Sequence, residues 1–263
     1  MNALIGFSGF VGTTLLKQAS FESLFRSTNI GDIDGQSFDT VVCAGAPAQK
    51  WMAIREPESD RRKIDDLIAH LKTIHCKTFI LISTVDVFKC PLRVDEATPV
   101  DESGLHAYGL HRRLLEQFAE NRFDNYLIVR LPGLVGPGLR KNVIFDFLNG
   151  NNLQAIDSRS IFQFYPMVNL WYDIQTALNA GLQLVHLTAE PVSVADVAKQ
   201  CFGKSFDQAL SGSPAVYDMR TRYAQLFGSP GYYPYSARET IQAVRAYAQS
   251  EPRTAQAGME AKA

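Results

Sequence analysis

The feature that most constrains the fold is a glycine-rich turn close to the start of the chain. Residues 2–5 (Asn-Ala-Leu-Ile) have the apolar content of a short buried strand, and residues 13–18 have the apolar spacing of a helix. Between them, Gly6, Gly9 and Gly12 follow a GxxGxxG spacing. Gly6 and Gly9 permit a tight turn and close backbone approach, and Gly12 lets the helix pack on the strand. The spacing therefore predicts a strand-to-helix turn.

Such a turn offers free N–H groups and the positive end of a helix dipole to a phosphate. In a strand-to-helix context it predicts a site for the pyrophosphate of a dinucleotide. A tight turn without any ligand is the alternative that the glycines alone leave open. The residues that we expect to contact the cofactor at this turn are Gly6, Ser8, Gly9, Phe10, Val11 and Gly12.

The composition is that of an ordinary globular protein with small-molecule partners. Of 263 residues, 46% are hydrophobic and 20% are charged, and the net charge of −1 gives no electrostatic basis for binding nucleic acid or an anionic membrane. The sequence has no apolar run of about 18 residues and no signal-peptide pattern. The four cysteines lie far apart, which favours reduced thiols in a cytoplasmic protein and no metal site.

Further apolar runs predict an α/β fold. Residues 23–27, 40–44, 78–84 and 126–131 read as buried strands, and residues 57–74 read as a long helix with one apolar stripe. The interval between the second and third strands is too short for full crossover helices. This half of the sheet is therefore expected to be trimmed.

Polar residues lie at the ends of two of these strands and along one face of a predicted helix. The strand at 78–84 runs into residues 83–88 (Ser-Thr-Val-Asp-Val-Phe), and the next strand runs into residues 130–138 (Arg-Leu-Pro-Gly-Leu-Val-Gly-Pro-Gly). Tyr108 and Arg112 are four residues apart, so they share one face of a helix, and Glu116 continues that face.

In this order, and together with the glycine turn, these stretches resemble the extended short-chain dehydrogenase/reductase family of nucleotide-sugar epimerases, dehydratases and reductases, and within it the dTDP-4-dehydrorhamnose reductase-like proteins. The resemblance covers most of residues 1–190 and fades afterwards. It implies a Rossmann-type, doubly wound parallel sheet, with a dinucleotide-binding domain over residues 1–135 to which residues 165–190 return. Residues 136–164 and 191–263 are then expected to form a smaller substrate-binding region.

The resemblance also implies catalytic roles. Tyr108 begins the family's Tyr-x-x-x-Lys motif and is expected to donate or accept a proton at the substrate oxygen, while Thr84, with Ser83 as the alternative, hydrogen-bonds that oxygen. Arg112 stands where the family has a lysine that holds the nicotinamide ribose. A cation about 5 Å away at a dielectric of about 20 contributes about 3 kcal/mol, or about two pKa units, and arginine keeps this charge. A helix-surface ion pair with Glu116 is the alternative role.

Cofactor and substrate contacts follow from the same resemblance. The family places a Gly-Asp-hydrophobic triplet near the adenine, and residues 31–33 (Gly-Asp-Ile) match it. Arg26 suits a 2′-phosphate, so NADP is favoured over NAD, with a solvated loop residue as the alternative. Two cations beside an amide, at residues 140–142 (Arg-Lys-Asn), suit a diphosphate, with solvent-facing charges at a helix start as the alternative. The cofactor residues away from the glycine turn are Arg26, Asp32, Ile33, Ala44, Gly45, Ala46 and Leu131, and the substrate residues are Ser83, Asp86, Lys141 and Asn142.

The function that this resemblance implies is an NAD(P)-dependent oxidoreductase, epimerase or dehydratase that acts on a nucleotide-sugar. The alternative is a non-catalytic sensor or scaffold that binds a dinucleotide or nucleotide-sugar with the same fold, and it is favoured by Arg112 in place of lysine and by the trimmed sheet. Homodimers formed through the helix that carries Tyr108 are common in the family, and the resemblance allows such a dimer here.

Overall fold

A computed structural model describes residues 1–253 of the chain. The strands are β1 (Asn2–Ile5), β2 (Ser23–Phe25), β3 (Ser37–Cys43), β4 (His75–Thr84), β5 (Leu92–Val94), β6 (Tyr126–Leu131), β7 (Gly133–Val135), β8 (Ile161–Phe162), β9 (Phe164–Pro166), β10 (Leu184–His186), β11 (Val192–Ser193) and β12 (Asp218–Met219). The helices are α1 (Phe10–Gln18), α2 (Lys50–Arg55), α3 (Pro57–Leu71), α4 (Ala107–Arg122), α5 (Val143–Asn149), α6 (Leu170–Asn179), α7 (Val194–Phe202) and α8 (Ala237–Ser250). Within the described residues, none of these helices has the length and hydropathy of a membrane span.

The main sheet has six strands in the order β10-β6-β4-β3-β1-β2, and every neighbouring pair is parallel. This confirms the predicted α/β class with a Rossmann-type parallel sheet. The carboxyl ends of the strands gather at one edge, where Ile5 is opposite Cys43 and Thr84 is opposite Leu131. In open parallel sheets, ligands bind beyond this edge.

The strands of this sheet are buried on both faces, as parallel strands covered by helices must be. Leu4 and Val42 have no exposed surface. On one face, α3 contributes a buried stripe at helical spacing, which confirms the predicted apolar face. The buried apolar residues of that stripe are Ile64, Leu67, Ile68 and Leu71.

The half of the sheet that carries β2 is trimmed, as predicted. The chain passes from β2 to β3 through a single short 3-10 helix at Ile30–Ile33 instead of a crossover helix. Ile33 is fully buried there and joins the core cluster that contains Phe25 and Phe38. The buried Ile33 side chain thus packs on the part of the sheet that a crossover helix would otherwise cover.

The chain divides into two compact units, which are described separately. The first comprises residues 1–91, 95–131 and 169–187 and contains the main sheet. The second comprises residues 92–94, residues 132–168 and the chain from Thr188 onward, and it contains three two-stranded sheets, β5 with β12, β7 with β9 and β8 with β11. The predicted bounds of a substrate-binding region stay a prediction, and its residues 254–263 lie outside the described part.

Candidate active site

The glycine-rich turn joins β1 to α1 with backbone packed against backbone. Gly6 has φ +84°, and a Cβ there would lie 2.3 Å from the carbonyl oxygen of Ala44. A Cβ at Gly12 would lie 2.1 Å from the Gly6 carbonyl oxygen, whereas one at Gly9 would lie 3.4 Å from it. Helix α1 begins at Phe10, earlier than the apolar spacing indicates, so Gly12 lies in its first turn. The packing therefore requires glycine at positions 6 and 12.

The start of α1 can hold an anion. Its N-cap is Gly9, and no side chain within the described residues caps the helix, so the amides of its first turn are left for a ligand. Val11 is partly buried in this turn, and Ser8 is exposed beside it. Free amides, a positive dipole and a backbone bare of side chains fit the pyrophosphate of a dinucleotide.

The residues after β3 meet the glycine turn at the sheet edge. The close approach of Gly6 to Ala44 joins the two segments, and a Cβ on Gly45 would lie 2.9 Å from the Ile5 side chain. Ala46 follows and packs against the core. Leu131 ends β6 at the same edge and is 3% exposed. The structure thus gathers this group of predicted cofactor residues at one edge.

The residues after β2 divide between solvent and core. Arg26 is exposed, donates from Nε to Thr28 Oγ1 at 2.9 Å, and places its Cζ 5.7 Å from the ring centroid of Phe7 in the glycine turn. Asp32 is exposed and Ile33 is fully buried. Arg26 is therefore a cation beside the turn that can hold a phosphate, while Ile33 serves packing.

Tyr108 and Thr84 come together although 24 residues separate them in sequence. Thr84 ends β4, and Tyr108 is the second residue of α4. The Thr84 hydroxyl lies close enough to the Tyr108 phenol to lower its pKa. The approach depends on Gly109, since a Cβ there would lie 2.0 Å from the carbonyl oxygen of Asp86. The glycine after the tyrosine thus lets α4 rest on the backbone that follows β4.

The charges around Tyr108 have opposing effects on the pKa of its phenol. Burial raises the pKa of the Tyr108 phenol above its ordinary value, and the Asp86 carboxylate raises it further. The positive charges of Arg112 and Lys50, and the nearby Thr84 hydroxyl, lower that pKa. The phenol is therefore protonated near neutral pH and has two cations to stabilise its ionised form.

Arg112 is almost fully buried, with 3% of its surface exposed. Its Nη2 donates to Asp60 Oδ1 at 3.0 Å and to the Pro47 carbonyl oxygen, and its Nη1 donates to Asp60 Oδ2 and to the Tyr108 carbonyl oxygen. His111 Nδ1 lies 2.7 Å from the same carboxylate. Arg112 therefore pairs with Asp60 from α3 and not with Glu116, the alternative that its helix spacing suggests.

Asp60 is the centre of this cluster and is 6% exposed. Burial alone would raise the pKa of its carboxyl, but hydrogen bonds from Arg112 and His111 outweigh burial and hold the pKa below its ordinary value. The sequence reasoning missed Asp60, although a signal exists. It lies four residues before Ile64 on the apolar face of α3, and an acidic residue on a core-facing stripe indicates a buried partner.

Lys50 and Asp86 form a second ion pair near the phenol. Lys50 Nζ lies 2.7 Å from Asp86 Oδ1, and the Asp86 N–H donates to Thr84 Oγ1 at 3.2 Å. Sequence reasoning missed Lys50 because it opens the short helix α2, which shows no apolar periodicity. Asp86, a predicted substrate residue, thus lies between Thr84 and a lysine from a distant segment.

Ser83 lies below the sheet edge in a buried polar network. Its hydroxyl donates to Glu116 Oε1, and Arg130 donates to both oxygens of the same carboxylate, at 2.9 and 2.7 Å. Arg113 Nη1 adds a contact of 3.0 Å. Glu116 has no exposed surface. The Ser83 hydroxyl is therefore engaged in joining β4 to α4 and β6.

Lys141 and Asn142 belong to the second unit. Asn142 caps α5, with its Oδ1 accepting from the Ile144 N–H at 2.9 Å and its Nδ2 donating to the Leu134 carbonyl oxygen at 2.9 Å. Lys141 is exposed beside it. The amide of Asn142 thus organises the loop before α5.

No protein-family model matches the sequence, and no curated protein matches it by sequence. Solved structures do match the fold. A UDP-galactose 4-epimerase superposes with a TM-score of 0.70 and 18% identity, over 95% of this chain and 98% of that chain. A dTDP-4-dehydrorhamnose reductase from Bacillus anthracis, in complex with NADP, gives a TM-score of 0.70 and 16% identity over 95% and 98%.

A third match is a mutant UDP-glucuronic acid 4-epimerase from Bacillus cereus, in complex with UDP-4-deoxy-4-fluoro-glucuronic acid and NAD. It has a TM-score of 0.68 and 16% identity, over 95% of this chain and 98% of that chain. Identities this low show the fold, which is the one that the sequence motifs imply. The chain has the fold of the extended short-chain dehydrogenase/reductase enzymes.

Proposed function

We propose that this chain is an NAD(P)-dependent enzyme that acts on a nucleotide-linked sugar as an oxidoreductase, epimerase or dehydratase. The observation that carries the proposal is the approach of the Thr84 hydroxyl to the Tyr108 phenol at the carboxyl edge of the main sheet. The glycine turn opens at the same edge. Structural neighbours that bind NADP, or NAD with a UDP-sugar, support the assignment of ligands.

The chain's own residues perform the proton chemistry. The bound nicotinamide supplies or accepts a hydride at the sugar carbon. Tyr108 gives its phenol proton to the sugar carbonyl oxygen in reduction, or its phenolate removes the hydroxyl proton in oxidation. Thr84 hydrogen-bonds the same oxygen. Arg112 stabilises the phenolate from beneath the ring, where its Cζ lies 4.0 Å from the ring centroid.

Binding roles follow from position. The amides that begin α1 hold the pyrophosphate. Arg26 would hold a 2′-phosphate, which favours NADP as the cofactor, and Asp32 would bind near the adenine. Lys141 with Asn142 stays the proposed contact to the substrate diphosphate.

Fluorescence titration with NADPH and NADH tests the first step of this proposal. We expect saturable binding of NADPH with a dissociation constant in the micromolar range, about −8 kcal/mol or tighter. Weaker binding of NADH is expected because it lacks the 2′-phosphate. If neither dinucleotide binds below about 1 mM, the proposed function fails.

A non-catalytic sensor or scaffold of the same fold is the second candidate. The observation that favours it is the commitment of the Arg112 guanidinium to Asp60 and Pro47, which leaves it few donors for a nicotinamide ribose. The substitution Arg112→Lys separates the two. A large gain in hydride transfer would identify a decayed enzyme, whereas a loss would identify arginine as the working residue.

A further inference from the structure

We propose that Lys50, held in place by Asp86, is a second cation that serves Tyr108, and that Arg112 is a fixed clamp beneath the ring. The inference rests on the proposed function in taking Tyr108 as the acid/base. Lys50 is a positioning residue here, because it acts through the phenol. The resemblance in the sequence offers no counterpart for it, since it lies outside every motif that carries the resemblance.

Arg112 is fixed by its surroundings. Both of its terminal nitrogens donate within the chain, to Asp60, to Pro47 and to the Tyr108 carbonyl oxygen. Its Nε is buried and has no partner within the described residues, and the guanidinium lies against the face of the tyrosine ring. The position of the guanidinium is therefore fixed, and the group cannot follow the phenol oxygen when a ligand binds.

Lys50 is placed differently. Its side chain is 37% exposed, and its partner Asp86 is 16% exposed, so the pair sits at the surface of the site instead of in the core. Polar contacts extend from it toward the phenol. Lys50 contacts the Asp86 carboxylate at 2.7 Å, the Asp86 N–H donates to Thr84 Oγ1 at 3.2 Å, and both Lys50 and Thr84 lie close enough to Tyr108 to lower the pKa of its phenol.

The backbone fixes this arrangement. The turn at Val85–Val87 packs against α4, where Gly109 leaves no space for a Cβ beside the Asp86 carbonyl oxygen. Because the Asp86 backbone is held against the residue that follows Tyr108, that backbone cannot move away from the phenol without moving the helix. A charge that is held at a fixed distance from the phenol shifts its pKa by a constant amount.

Other ionisable groups face Tyr108 from each neighbouring element. These are Arg112 on α4 and His106 at its N-cap, whose ring centroid lies 6.3 Å from that of Tyr108. His106 Nδ1 accepts from the Gly109 N–H. From α3, Asp60 offsets Arg112 behind the ring. The pair of Lys50 and Asp86 lies outside the buried clamp, so each of its two charges can be removed without breaking that clamp.

Removing either partner gives shifts of opposite sign, which a purely structural role does not predict. Lys50→Met leaves the Asp86 carboxylate near the phenol, so the pKa of Tyr108 rises. Asp86→Asn leaves the Lys50 ammonium, so the same pKa falls. A unit charge at the effective dielectric of a partly exposed site shifts a neighbouring pKa by about one pH unit in each direction.

The experiment is a 19F NMR titration of unliganded full-length protein in which every tyrosine is replaced by 3-fluorotyrosine. Fluorination lowers the phenol pKa, which brings the Tyr108 titration to lower pH. Tyr108→Phe assigns the resonance. Lys50→Arg keeps the charge and is expected to keep the wild-type titration, which serves as the rescue.

Lys77→Met is the matched control, since Lys77 pairs with Asp39 at 2.6 Å on the surface of the same unit. It is expected to leave Tyr108 unchanged. The proposal is overturned if Lys50→Met and Asp86→Asn shift the Tyr108 titration in the same direction, or if neither shifts it, in variants with wild-type thermal midpoints. If Lys50→Met does not fold, Lys50→Gln replaces it. Because no cofactor or substrate is present, failure of NADPH binding leaves this outcome readable on its own.

Discussion

The guanidinium of Arg112 lies against the ring of Tyr108, with 4.0 Å between Cζ and the ring centroid. This contact has two effects: it stabilises the folded chain, and it favours ionisation of the phenol. A desolvated cation on an aromatic face contributes about 2 kcal/mol, and the same charge favours the phenolate over the phenol. Asp60 holds the arginine from behind, so the acidic residue on α3 determines where the cation beneath the tyrosine stands.

Tyr108→Phe removes the hydroxyl and keeps the ring on which Arg112 rests. We therefore expect the fold and the affinity for NADPH to stay nearly unchanged, while turnover of a nucleotide-sugar falls by about 100-fold or more, the usual contribution of a general acid/base. Steady-state kinetics and fluorescence titration measure the two quantities. Tyr126→Phe, at the start of β6 and at the other end of the strands, is the control. Equal activity in Tyr108→Phe would remove the acid/base role.

Asp60→Asn breaks the buried clamp and leaves Arg112 without its carboxylate. Removing one partner of a buried ion pair costs about 3 kcal/mol or more, so the free energy of unfolding at neutral pH is expected to fall by that amount. Urea unfolding measures it. Asp65→Asn, on the same helix and paired with Arg61 at 2.9 Å on the surface, is expected to cost about 0.5 kcal/mol or less.

The effect of Asp60 also depends on pH. The pKa of its carboxyl is lower in the folded chain than its ordinary value. Its stabilising contribution is therefore fully present above the unfolded-state pKa of about 3.9 and is lost as the pH falls through the folded value. Wild type and Asp60→Asn should consequently begin to converge in stability as the pH falls below about 4, and converge fully only below the folded-state pKa of Asp60. A difference that stays constant down to low pH would show that the carboxylate charge is not what stabilises the clamp.

The sequence predicts the main sheet well because the signals there are local. Apolar runs and the glycine turn identify β1, β3, β4 and β6, and the stripe on α3 identifies its buried face. Strand and helix ends are less well predicted. Ser37 and His75 have no local strand signal, and they extend β3 and β4 because they pair with each other across the sheet. The helix α3 ends at Leu71, where Thr73 N–H bonds to His70 as the last turn tightens.

Pairing among side chains is predicted least well, because it depends on tertiary contacts. The spacing of Arg112 and Glu116 permits an ion pair on one helix, yet their partners are Asp60 and Arg130 from other elements. Helix α8 is a different case. The sequence interpretation predicts no helix there, although Ser236 and Glu239 form a capping box before a buried stripe, which is a readable local signal.

Arg26→Gln tests the preference for NADP. Arg26 is exposed beside the glycine turn, where a guanidinium can bind a 2′-phosphate with two parallel hydrogen bonds. Removing it is expected to weaken NADPH binding by about tenfold, equivalent to about 1.4 kcal/mol, and to leave NADH binding unchanged. Arg61→Gln on the surface of α3 is the control. An equal loss for both dinucleotides would assign Arg26 to the shared part of the cofactor instead.

Two glycines of the turn have separable roles, which Gly12→Ala and Gly9→Ala resolve. In a helix, alanine is favoured over glycine by about 1 kcal/mol, so propensity alone predicts that Gly12→Ala stabilises the chain. The Cβ would, however, lie 2.1 Å from the Gly6 carbonyl oxygen, and backbone cannot yield as a flexible side chain does. We expect a net loss of about 2 kcal/mol in the free energy of unfolding, typical of overpacking.

Gly9→Ala should behave in the opposite way. Gly9 has φ −79°, which alanine adopts without strain, and its Cβ would lie at an ordinary 3.4 Å from the nearest atom. Stability is therefore expected to stay at the wild-type level. The added methyl group stands where a pyrophosphate would approach the helix amides, so NADPH affinity should fall by about tenfold. Wild-type affinity in a stable Gly9→Ala protein would mean that the phosphate does not bind at this turn, because the methyl group would then obstruct nothing.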